Sequence, residues 1–145
     1  MVYDEQPENF VSKFEVTGCF LECNGEFLIL QRHDHKPQGG TWGLPSGKVE
    51  TNENLEDAII RETEEETGFY INKDNLNYFK KLYVRYNDYD FIYHMFSFKL
   101  KEKFNVVLEE NGHKSFKWIR PEDALIMSNL IQDFNECIKL YYGIK

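Results

Sequence analysis

Three glutamates, Glu62, Glu65 and Glu66, recur at helical spacing in the middle of the chain. On an α-helix turning about 100° per residue, with Glu62 at zero, Glu65 lies at about −60° and Glu66 at about +40°. Leu55, Ala58 and Ile59 fall at about 20°, −40° and 60° on the same scale. The acids therefore continue the apolar stripe of the first two turns, whereas Glu53, Asp57 and Glu64 lie across the helix from it. Like charges one turn apart repel, more so when partly desolvated. A hard divalent cation, Mg²⁺ or Mn²⁺, is the natural counter-charge for clustered carboxylates with no thiol or group of imidazoles beside them.

The flanks agree. Gly47 ends the segment Trp42-Gly43-Leu44-Pro45-Ser46-Gly47, where the missing Cβ lets backbone come close to a metal or a phosphate. Arg61 directly precedes the first acid, and its spacing from Glu53 suits an ion pair that would order the intervening loop. The helix itself is expected over 54–67, with Asn54 and Asp57 capping reciprocally and Gly68 at the C′ position.

These residues carry a resemblance. Gly47, five residues, Glu53, seven residues, then Arg61-Glu62-Thr63-Glu64-Glu65-Glu66-Thr67-Gly68-Phe69 resembles the signature box of the Nudix hydrolases. At ordinary residue frequencies the shared identities (Gly47, Glu53, Arg61, Glu62, Glu65, Glu66, Gly68) coincide by chance on the order of once in 10⁹ windows. Two positions depart from the pattern. Thr63 stands where the family has an aliphatic residue, and Ser46 where many members have a second glycine.

The resemblance implies Mg²⁺-dependent hydrolysis, with Mn²⁺ as a substitute, of a phosphoanhydride in a nucleoside diphosphate linked to another group. The expected substrate is a (deoxy)nucleoside triphosphate or related free nucleotide. Nucleotide-sugar and dinucleoside-polyphosphate hydrolysis, and a non-catalytic nucleotide sensor, stand as alternatives. By the same resemblance Gly47, Glu62, Glu65 and Glu66 form the metal site, and Arg61 and Glu53 belong with them to the catalytic set. The general base is left open between Glu62 and a loop acid, Glu109 or Glu110. Arg32 and Lys48 are candidate phosphate contacts. Tyr86 is a candidate base contact, and Tyr83, Tyr89, Phe91 and Tyr93 offer further rings. His113 and the loop His33-Asp34-His35 read more readily as solvated groups than as ligands.

The elements that must position these groups follow from pattern. Runs 14–23 and 26–32 read as a hairpin around Asn24-Gly25. Residues 42–49 are extended in pieces, 78–86 and 91–101 are strands about the Asn87-Asp88 turn, and 114–119 is a last strand. Pro121 opens a short helical turn, and Ser128 is the expected cap of a C-terminal helix carrying Leu130, Ile131, Phe134, Ile138 and Tyr141. The fold class is α/β: a Nudix-like α/β/α sandwich with a mixed sheet, a catalytic helix mid-chain and a C-terminal helix.

At 145 residues the chain suits one domain, with 1–10 as a flexible or extended arm. A net charge of −8 argues against a broad duplex-binding face, so the expected partner is a small nucleotide, with no duplex nucleic acid and no membrane. A homodimer is left open. Asp4, Glu5 and Glu8 replace the basic start of a secretory signal, and the three cysteines, an odd number, suit a reducing compartment. A cytoplasmic protein is expected, with Cys19, Cys23 and Cys137 as buried apolar groups.

Overall fold

The computed structural model describes residues 1–145. In chain order its strands are β1 (Val2–Tyr3), β2 (Ser12–Cys23), β3 (Glu26–Arg32), β4 (Trp42–Gly43), β5 (Ser46–Lys48), β6 (Asn77–Arg85), β7 (Asp90–Lys99) and β8 (His113–Ile119). The helices are α1 (Leu55–Thr67) between β5 and β6, and α2 (Pro121–Leu125) and α3 (Phe134–Tyr142) after β8. Asn24 and Gly25 both take positive φ, 52° and 81°, as the two-residue turn between β2 and β3 requires.

The sheet is mixed. Its order is β1-β6-β7-β2-β3-β4, with β5 paired to β2 and β8 to β3. β2 and β7 run parallel, and the other pairings are antiparallel. Strand alternation divides the core into two layers. Cys19, Leu21, Leu28, Leu30, Phe96 and Phe98 pack on one face with Ile59 and Ile60 of α1. Phe20, Phe27, Ile29 and Met95 pack on the other with Phe134, Cys137 and Ile138 of α3 and Ala124 of α2. All three cysteines are buried free thiols, with Cys19 and Cys137 in different layers. No helix is long and apolar enough to cross a membrane.

Local signals set α1. The Asn54 side chain accepts from the Asp57 amide at 2.8 Å and donates to the Asp57 carboxylate at 3.0 Å, while Gly68 closes the helix at φ 81°. One boundary differs from expectation. The C-terminal helix starts at Phe134, not after Ser128, because residues 129–131 are drawn out along Trp42. The Trp42 amide donates to Asn129 O at 2.9 Å and the Ile131 amide to Trp42 O at 2.9 Å. Pro121 does open α2 at its first position.

Candidate active site

α1 lays Ile59, Thr63 and Thr67 into the core, and the acids stand on the shoulder of that buried stripe rather than along its centre. The Glu62 side chain is 14% exposed and that of Glu65 51%. Glu66 is half-buried and accepts the Ser46 amide at 2.8 Å. Gly47 shows why its position carries no side chain. A Cβ there would sit 2.1 to 2.3 Å from the carboxyl atoms of Glu62, so β5 and α1 touch only because it is absent.

Arg61 ties this assembly to its loop. Its Nε and Nη2 donate to the two oxygens of Glu53 at 2.8 and 2.9 Å, a fork-on-fork pair, and Nη2 also donates to Lys48 O at 3.1 Å. Nη1 donates to Glu62 at 2.8 Å and Glu65 at 3.3 Å. The pair with Arg61 holds the Glu53 carboxyl below its usual range, and Arg61 itself stays charged throughout. Glu62 and Glu66 behave oppositely. Burial raises both carboxyls, Glu66 well above its ordinary value, because its one amide hydrogen bond does not offset desolvation.

Beside these acids lies a polar recess of about 210 Å³, lined by Glu62, Glu66, Glu109, Arg32, Lys36, Gly112 and His113. Glu109 reaches it from the loop before β8, and Glu110 does not line it. Glu65 stands outside with Arg61. No three His, Cys, Asp or Glu side chains converge at ligand geometry in this arrangement. The donor set nevertheless fits a hard cation: the carboxylates of Glu62 and Glu66 are desolvated and under-compensated, and Gly47 admits close approach at their side. In the loop before β4, Asp34 is bonded to Lys114 at 2.6 Å, and the His33 and His35 rings lie tilted by 44° with centroids 4.9 Å apart.

Across the sheet edge opens a larger cleft of about 410 Å³. Phe14, Tyr86, Tyr89 and Phe91 form its aromatic wall, with Tyr93 among the lining groups. Tyr86 meets Phe91 edge-on at 5.1 Å and donates to Gln132 O at 3.2 Å, and burial pushes its phenol up to about 12. Lys48 lies over Phe14, 4.3 Å from the ring centroid, and Lys13 over Tyr89 at 5.2 Å. Tyr83 packs elsewhere, edge-on to Phe10 at 5.2 Å. Two residues border both spaces, Arg32 and His113. Arg32 is fixed by Nε donating to Pro37 O at 2.7 Å. His113 is half-buried rather than solvated: burial and the cations Arg32 and Lys36 push its imidazole down to about 4, and its buried Nδ1 has no partner.

Lys36, Gln38 and Gln132 thus belong to the site although sequence pattern did not single them out, and His113, which the sequence suggested was solvated, joins them. They come from two loops and the start of β8, and no local spacing joins them.

The mixed sheet lies between α1, which carries the acids, on one face and α2 and α3 on the other, an α/β/α sandwich. A family model for the NUDIX domain matches residues 13–138, and the chain belongs to the Nudix family of pyrophosphohydrolases. It is 29% identical over 113 residues to the CTP pyrophosphohydrolase of Escherichia coli, a match covering 77% of this chain and 78% of that protein. An uncharacterized Nudix hydrolase of Bacillus subtilis, YvcI, is 46% identical over 56 residues, 39% of this chain and only 33% of the relative. Among solved structures, the MutT protein of Methanosarcina mazei superposes with a TM-score of 0.74 at 25% identity, covering 89% of this chain and 94% of that one.

Proposed function

We propose that the protein hydrolyses a phosphoanhydride bond in a free nucleotide, a (deoxy)nucleoside triphosphate or a related nucleoside diphosphate derivative, with Mg²⁺ as the working ion and Mn²⁺ as a substitute. One observation carries the reading: an aromatic cleft for a base and a carboxylate recess for a metal-bound pyrophosphate meet at Arg32 and His113. The similarity to a CTP pyrophosphohydrolase over most of both chains supports it.

Gly47, through its carbonyl, and Glu62 and Glu66 would hold the ion, with Glu65, which Arg61 holds outside the recess, joining them by a turn of its side chain. Bound there, it would shield phosphate oxygens and acidify a water. The chain's own groups do the rest. Phe14, Tyr86 and Phe91 stack the base. Arg32 and Lys36, which line the recess, contact the phosphates. Glu109, the loop acid that lines the recess, takes the proton of the attacking water. Glu53 acts at a distance, by fixing Arg61 and with it the β5–α1 loop. Three buried free thiols suit a cytoplasmic setting.

A screen of nucleoside triphosphates and nucleoside diphosphate derivatives, with and without Mg²⁺, reading phosphate and pyrophosphate release, tests this. Turnover that requires the ion supports it. Tight nucleotide binding without product would make the chain a sensor instead.

A further inference from the structure

The base cleft has a floor as well as a wall. Tyr93 lies on β7, between Phe91 of the wall and Met95 of the α3-side core, and its ring crosses the neighbouring strand β2 at Gly18. A Cβ at Gly18 would lie 2.0 Å from the Tyr93 hydroxyl oxygen and 2.8 Å from Cζ. Any side chain at position 18 would push the phenol out, so the glycine is what lets the ring lie flat on β2.

Most polar groups around this cleft already serve the protein. Gln38 Oε1 accepts the Gln132 amide at 2.8 Å, Tyr86 donates to Gln132 O, and Arg32 Nε is spent on Pro37 O. His94, the next residue on β7, faces the other layer and is bonded at both nitrogens, by Tyr78 at 2.8 Å and Glu15 at 2.7 Å. Tyr93 differs. Its hydroxyl has no hydrogen-bond partner within the protein, and it lines the cleft beside Cys137. Burial raises its pKa far above the ordinary phenol, so at neutral pH the group is uncharged and both donates and accepts. The hydroxyl is not among the fully buried orphans but opens to the cleft, where water occupies its hydrogen-bonding positions until an entering group replaces it.

We propose that Tyr93 is the specificity-determining residue of the cleft: its hydroxyl bonds the exocyclic oxygen or amino group of a nucleobase stacked against Phe91 and Tyr86, with Gly18 keeping the space in which it does so. The inference rests on the proposed nucleotide function and names the group that chooses among bases. A site that hydrogen-bonds one base edge rejects a base lacking the partner more strongly than an apolar slot can.

The experiment uses Tyr93→Phe, which keeps the ring and its packing, beside the parent. Kcat and KM are measured for nucleoside triphosphates of each base and for ribo and deoxyribo forms, and Kd for the matching nucleoside monophosphates is measured without turnover. The expected result is a loss of about tenfold in kcat/KM for the preferred base, carried by KM, with the other bases changed less than twofold. The monophosphate Kd values should lose the same discrimination, and the variant should melt with the parent. A uniform loss across bases, an unchanged base spectrum, or a change confined to ribose against deoxyribose discrimination would each overturn the assignment. If base-selective binding is lost while neither protein turns over any nucleotide, Tyr93 stands and the hydrolase reading fails. If no nucleotide binds at all, both fail.

Discussion

The cleft and the acid recess share Arg32 and His113 yet are built on opposite rules. The cleft is assembled by strand alternation: Phe14, Phe91 and Tyr93 face one way because their neighbours Glu15, Ile92 and His94 face the other. Its groups are neutral rings, with lysines laid over two of them. The recess comes from one helix shoulder, the ends of β3 and β8 and two loops, and it gathers acids the fold balances only in part. Glu62 and Glu66 are raised by burial, while Glu53, forked onto Arg61, is lowered. The difference separates stability from chemistry. Glu53 takes both arms of the Arg61 fork, Glu62 and Glu65 share what is left of that cation, and Glu66 pairs with none.

The sharpest way to break this contrast is to neutralise one acid of each kind. Glu66→Gln keeps shape and the Ser46 contact but removes the charge a hard cation prefers, so turnover should fall on the order of 10³ or more. The metal-free variant should melt at or above the parent, because a desolvated charge has gone. Initial rates beside thermal melts read both halves. Glu53→Gln should cost the rate only about tenfold, through a loosened Arg61, and should lower the melting temperature. Equal rate losses in the two variants would put Glu53 among the groups that touch the ion.

pH separates the two kinds of acid again. A carboxyl raised in the fold binds its proton more tightly folded than unfolded. The metal-free protein should thus lose stability as pH climbs from the ordinary carboxylate value, about 4.3, through the raised values of Glu62 and Glu66. Glu53 has the reverse sign: its contribution is present above the ordinary value and lost as pH falls through its lowered one. Melting with and without Mg²⁺ across pH 4–8, the range about the ordinary carboxylate and imidazole values, should show stabilisation by the ion growing with pH. A shift independent of pH would mean that Mg²⁺ does not engage the raised acids.

The smallest effect concerns the back of α1. Thr63 is fully buried, and its hydroxyl is one of two buried side-chain polar atoms without a partner. Thr63→Val fills the same space without that group and should stabilise the fold by about 1 kcal/mol, leaving rates unchanged. Denaturant melts would read the gain.

Thr63 also shows what the sequence could carry. Its departure from an aliphatic pattern was visible, and the orphaned hydroxyl is its structural consequence. Asn24-Gly25, Asn54 with Asp57, and Gly68 were legible because each answers a local backbone demand within a few residues. The Arg61–Glu53 pair was legible because both lie within the one box. Ser128 misled, since the helical spacing of Leu130 and Ile131 yields to hydrogen bonds with Trp42, far away in the chain. The pairing of Val2–Tyr3 with β6 was not visible for a related reason: two residues carry no period. Lys36 reaches the recess only once separate segments have been folded together, and nothing in its own neighbourhood marks it; His113, at the start of β8, was visible but read as solvated for the same reason.

The most direct measurement is a Mg²⁺ titration of initial nucleoside triphosphate hydrolysis by the parent and by Glu66→Gln at fixed neutral pH. The acid recess requires parent rates that rise from background and saturate with the ion, and a variant that stays on the order of 10³ below at every concentration. A parent that works equally well in a chelator, or a variant that follows the parent's curve, would contradict the site.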